Sequence, residues 1–232
     1  MHTSKTRQLL LLLTALLLTM PSLAQKVRVA CVGNSITYGA NIGDREKYHY
    51  PAQLQGYLGD GFDVRNFGMN GATLLRQGDR PYVKSQQYQQ SLEFLPDIVL
   101  IKLGTNDTKD YNWKGKKAFA NDLEKMMKTL QALPSQPKIY LCAPIPAFKP
   151  SWTINEKVIV DEVIPTLEKA VKKYGLAGFI DLHSAFEGQE DLILPDGIHP
   201  NGNGARKIAE TVAKVIDPDV VIPQGGRFPW MN

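Results

Sequence analysis

From Gln25 onward the chain alternates short apolar runs with longer amphipathic ones. The runs Val27 to Val32, Phe62 to Asn66, Asp97 to Leu103, Lys138 to Cys142 and Gly178 to Leu182 have the length of strands. Stretches such as Ile98-Val99-Leu100-Ile101 do not alternate apolar with polar residues, which predicts strands buried on both faces of a parallel sheet. Between them, Tyr50 to Leu58, Tyr88 to Phe94, Phe119 to Leu130, Glu156 to Tyr174 and Ala205 to Ile216 have helical character. In the last, Ile208, Ala209, Val212, Val215 and Ile216 share one face, while Arg206, Lys207, Glu210 and Lys214 take the other. Pro134, Pro137, Pro144, Pro146 and Pro150 mark loops, Pro165 is expected to start or kink a helix, and the tail with Pro218, Pro223 and Pro229 is expected to run as an extended strap.

Strand and helix in alternation imply right-handed βαβ units. Five such strands predict an α/β, three-layer αβα architecture with a flavodoxin-like sheet of order 2-1-3-4-5, and ligands bound beyond the carboxyl ends of the strands. That order separates Cys31 on the first strand from Cys142 on the fourth by one intervening strand. At about 4.8 Å per strand the two lie roughly 9–10 Å apart, too far for a disulfide, so two buried free thiols are expected.

The chain has 232 residues, 43% hydrophobic and 22% charged, enough for one well-buried core. Its first segment stands apart from that core. Lys5 and Arg7 precede the apolar run Leu9 to Leu18, and Ser22-Leu23-Ala24 supplies the small residues of a cleavage site, so residues 1–24 read as a signal peptide and residues 25–232 as one exported domain. The run is shorter than the ~20 residues of a bilayer span, and no stable membrane insertion is expected. Without Lys5 and Arg7, Lys+Arg falls from 27 to 25 against 23 Asp+Glu, which gives no electrostatic footprint for nucleic acid.

Three polar segments interrupt this pattern: Gly33-Asn34-Ser35, Gly104-Thr105-Asn106-Asp107 and Asp196-Gly197-Ile198-His199-Pro200. A serine hydroxyl needs a base to become a nucleophile, and a neutral imidazole supplies one near pH 7. Asp196, three residues before His199, is spaced to reach the imidazole Nδ1 and fix its tautomer. Asn106 offers a side-chain amide to a developing oxyanion, and Gly71 and Ser35 offer backbone N–H groups. Singly, Ser35 reads equally well as a helix cap, Gly71 as a Gly-rich turn and Asn106 as a strand-end residue. Jointly, a parallel sheet would deliver all of them to one edge.

In these four blocks, Ser35, Gly71, Asn106 and His199 taken in order, the chain resembles the SGNH hydrolases, also called GDSL esterases/lipases, over essentially the whole of 25–232. The resemblance implies a Ser-His-Asp mechanism through an acyl-enzyme, no metal or cofactor, and Asp196 as the triad carboxylate. The nucleophile block reads Gly-Asn-Ser-Ile-Thr where the family name comes from Gly-Asp-Ser-Leu, so Asn34 replaces an acid; Thr37 also rules out the Gly-x-Ser-x-Gly elbow of α/β-hydrolases. Export and the aromatic residues Tyr38, Tyr111, Trp113 and Trp152 in rim loops favour a carbohydrate O-acetyl ester as substrate. A lysophospholipase or thioesterase would require a long apolar groove, and an inactive glycan-binding module would be expected to have lost one of the set Ser35, Gly71, Asn106, Asp196 and His199.

Overall fold

The computed structural model describes residues 25–149 and 152–222. The expected signal peptide and the part of the tail containing Pro223 and Pro229 lie outside the described residues, as does Pro150. Five parallel strands, β1 (Val27–Gly33), β2 (Phe62–Gly68), β3 (Ile98–Lys102), β4 (Lys138–Cys142) and β5 (Gly178–Ile180), form one sheet in the order 2-1-3-4-5. β1 and β2 run past their expected ends because Gly33 and Gly68 still pair in register. β5 stops two residues early: the Asp181 side chain accepts the Ser184 N–H at 3.0 Å and turns the chain into the short helix Leu182–Ala185.

Successive residues of each strand feed opposite cores. Val29, Cys31, Leu100 and Cys142 face Tyr50 and Leu54 of one helix (Tyr50–Leu58) and Ile208, Ala209 and Val212 of the C-terminal helix (Gly202–Ile216). Ala30, Val32, Val99, Ile101 and Leu141 face the opposite layer, where Phe119, Leu123, Met126 and Met127 come from Lys116–Gln131 and Leu167 from Ile164–Tyr174. This double burial explains the unbroken apolar runs, each large aliphatic side chain contributing about 1.5–3 kcal/mol. β3, the central strand, is buried at every position. Cys31 and Cys142 are buried free thiols on β1 and β4 with β3 between them, as the strand order requires.

Helix starts carry the local chemistry expected of them. Asn201 accepts the Asn203 and Gly204 N–H groups at 3.0 Å, so the C-terminal helix begins at Gly202, three residues before the apolar periodicity sets in. The segment expected as one helix over Glu156 to Tyr174 is instead a turn of helix at Glu156–Val158, a π-helical turn at Ile159–Val163 and a helix at Ile164–Tyr174. Pro165 causes the change, since it lacks an N–H and its ring excludes the carbonyl four residues back. A small third cluster, Ala147, Ile154, Ile159 and Ile198, joins this segment to the loop after β4 and to the turn before the C-terminal helix.

Candidate active site

The site is assembled where β1, β2 and β3 end. Gly33 closes β1 against the Lys102 carbonyl, which lies 2.9 Å from the place a Cβ would occupy, so a side chain there would collide with the neighbouring strand. Asn34 caps the following turn of helix (Ser35–Tyr38) by accepting the Ile36 N–H at 3.0 Å. Asn at the position of the family's acid therefore does structural work with the same side-chain oxygen. Ser35 is the first helical residue, so its N–H has no intrahelical partner.

Its hydroxyl meets the candidate base directly: His199 Nε2 lies 2.8 Å from Ser35 Oγ, across 164 residues of sequence. On the other side of the ring, Nδ1 lies 2.7 Å from Asp196 Oδ2. The second Asp196 oxygen accepts the N–H groups of Ile198 and His199, both at 2.9 Å. Burial works to raise the Asp196 pKa, but the His199 backbone and ring and the Ile198 N–H outweigh it and hold the carboxyl below its ordinary value. Ionised Asp196 thus assigns the Nδ1 proton to His199 and leaves Nε2 as an acceptor for the serine proton.

Two loops, after β2 and β3, bring the candidate oxyanion donors to the same edge of the sheet. Gly71 sits at φ +75°, a left-handed turn conformation suited to glycine, and its N–H has no acceptor among the described residues. Asn106, buried at the start of a 3₁₀ turn (Asn106–Thr108), spends one amide proton on the Ala72 carbonyl at 3.1 Å and keeps the other. Asp107 locks the two loops together: its oxygens accept the Leu74 and Leu75 N–H groups at 3.1 and 2.7 Å. Burial pushes its pKa up to about 6, with those N–H groups and its own and Gly104's pulling the other way. Asn112 adds a second lock, donating to the Asn106 carbonyl at 3.0 Å and to Asp79 at 2.8 Å. Sequence reading did not single out Asp107 or Asn112; the adjacency of Asp107 to Asn106 was the one available signal.

The four aromatic residues separate. Trp152 is 55% exposed and meets the His199 ring edge-on at 5.9 Å between centroids. Tyr38 is half-buried beneath the Arg45 guanidinium at 4.2 Å, and Tyr111 is exposed with Lys109 over its ring at 5.6 Å. Trp113 is half-buried and packs on Phe119 at 5.9 Å, at the edge of the second core. A cleft of about 410 Å³ between the helices Lys116–Gln131 and Ile164–Tyr174, lined by Lys116, Lys117, Leu123 and Lys173 among others, contains none of the site residues.

A three-layer αβα protein with a hydrogen-bonded Ser–His–Asp chain on the carboxyl rim of its sheet is what the fold and the site define. The chain belongs to the GDSL-like Lipase/Acylhydrolase family, whose model matches residues 31–207. It is 50% identical over 207 residues to an acetylxylan esterase of Xylanibacter ruminicola, covering 82% of this chain and 43% of that protein. It is 27% identical over 221 residues to a multidomain esterase of Ruminococcus flavefaciens, covering 82% of this chain and 28% of that protein. The chain therefore spans less than half the length of these relatives. The fold also matches that of a carbohydrate acetylesterase from Sinorhizobium meliloti, with a TM-score of 0.65 at 20% identity over 83% of this chain and 99% of that one. Among the described residues no helix is long and apolar enough to cross a membrane.

Proposed function

We propose that this chain is a serine esterase that removes O-acetyl groups from carbohydrates, exported after cleavage behind Ala24 and working as one domain over residues 25–232. The observation that carries the proposal is the continuous chain from Ser35 Oγ through the His199 ring to Asp196, with links of 2.8 and 2.7 Å. His199 Nε2 takes the hydroxyl proton as Ser35 attacks the ester carbonyl. The N–H groups of Ser35 and Gly71 and the free amide proton of Asn106 receive the oxyanion, and Asp196 stabilises the imidazolium. Return of that proton to the sugar oxygen expels the alcohol and leaves acetyl-Ser35. Water, activated by the same imidazole, then releases acetate.

The relatives named as an acetylxylan esterase and a carbohydrate acetylesterase support the carbohydrate reading, as does the exposed Trp152 face beside His199, on which a sugar ring can stack. The test is hydrolysis of p-nitrophenyl acetate and octanoate, followed by acetate release from a panel of acetylated glycans. Acetate is expected to be the better acyl group. A strong preference for octanoate overturns the acetyl reading, and inactivity on every ester overturns the enzyme reading.

A further inference from the structure

A second imidazole–carboxylate pair stands behind the first. Glu156 Oε1 lies 2.7 Å from His183 Nε2, and Glu156 Oε2 accepts the Ala147 N–H at 2.8 Å. One residue on, the Phe148 N–H donates to the Gly197 carbonyl at 2.8 Å, inside the turn that carries Asp196 and His199. The Phe148 carbonyl in return lies 1.8 Å from where a Cβ on Gly197 would stand, and Gly197 has φ +74°, so the two backbones interlock in a way only glycine permits. Ile198, between Gly197 and His199, packs in the small cluster with Ala147, Ile154 and Ile159. The same segment reaches the oxyanion side, because the Asn155 N–H donates to Thr108 Oγ1 at 3.1 Å.

Resting on the assignment of Ser35, His199 and Asp196 as the triad, we infer that Glu156 and His183 are positioning residues that clamp the loop after β4 against the 196–199 turn and so hold His199 in line with Ser35. The physical reason is that the turn's own bonds, such as the Leu194 N–H to the His199 carbonyl at 2.7 Å and the Gly197 N–H to the Leu194 carbonyl at 2.9 Å, fix its shape, whereas the Phe148–Gly197 contact fixes its place against the loop after β4. The turn is a tight loop ahead of the C-terminal helix, and a shift of His199 by about 1 Å away from Ser35 would carry the 2.8 Å contact beyond hydrogen-bond range. Neither residue touches the reacting atoms. The pair is held together electrostatically: its hydrogen bond to Glu156 is the main cause of a raised His183 pKa, with Asp181 and Glu187 adding to it against burial.

Glu156→Ala is expected to lower kcat about tenfold and leave KM within about twofold, because the loss falls on transition-state alignment. His183→Ala should reproduce much of that loss, His183→Gln, which keeps a donor toward Glu156, should recover most of it, and the double variant should be no worse than Glu156→Ala alone. In the folded variants the downfield Nδ1 proton resonance of His199 should shift or broaden. His183→Ala keeps the Glu156–Ala147 bond and is the variant to use if Glu156→Ala does not fold. Wild-type turnover together with unchanged kcat and an unmoved resonance in folded variants overturns the clamp and leaves the proposed function standing; additive losses, or losses confined to KM, also overturn it. Inactive wild type would instead indict the function.

Discussion

His199–Asp196 and His183–Glu156 are both imidazole–carboxylate pairs at 2.7 Å, yet only the first also meets a serine hydroxyl. The difference lies in what else each pair touches. In the first, the remaining ring nitrogen meets a hydroxyl and the remaining carboxylate oxygen is held within its own turn. In the second, the remaining carboxylate oxygen is spent on the backbone of another loop, and the other ring nitrogen has no hydrogen-bond partner among the described residues. A His–carboxylate distance alone therefore says nothing about catalysis. The third partner decides whether the pair moves a proton or holds a loop.

Ser35→Ala should cut kcat by about 10⁴-fold or more while thermal melting stays near wild type; retention of most activity would sink the mechanism. Next, Asp196→Asn removes the charge that selects the His199 tautomer and is expected to cost about 10²–10⁴-fold in kcat, against only about tenfold for the second pair. Equal losses at the two pairs would erase the distinction drawn between them. Asp107→Asn tests the loops instead of the pairs. The Leu74 and Leu75 N–H groups bond to different carboxylate oxygens, and an amide would set its NH2 group against one of them, so the candidate oxyanion donors should drift and kcat should fall roughly 10–10²-fold, with KM within a few-fold.

The smallest expected effect on turnover is a gain in stability. Lys102 is buried at the end of β3, and its Nζ has no hydrogen-bond partner among the described residues. Burial pulls its pKa down to about 8. Because the folded state holds this proton less tightly than the unfolded chain, the penalty is fully present below about 8 and fades as pH rises toward the unfolded value near 10.4. Lys102→Met should therefore raise the melting temperature by several degrees at pH 7 and by less at pH 10, with kcat little changed; a fall at pH 7 would show that the amine is satisfied in solution.

The fold was legible because its signals are local. Strands buried on both faces read as continuous apolar runs, caps such as Asn201 precede helices, and alternation of the two element types leaves few topologies. Element ends were less legible where a side chain captures a backbone N–H three residues further on, as Asp181 does at the end of β5. The interruption of the helix before Pro165 shows a conflict between a periodic apolar face and a missing backbone donor, which periodicity does not register.

By itself, the sequence determined which residue types stand at the ends of β1 and β3 and before the last helix, and so the chemistry of Ser35, Asn106, Asp196 and His199. Asp196 and His199 were readable as a pair because they are three residues apart. Only the tertiary structure decided that Asp107 holds residues 32 and 33 positions away, that Glu156 reaches His183 across 27, and that Trp152 rather than Trp113 meets the His199 ring. The physical reason is that a carboxylate buried far from its partners in sequence is satisfied by whichever backbone N–H groups the fold delivers, and those groups carry no residue-specific mark in the chain.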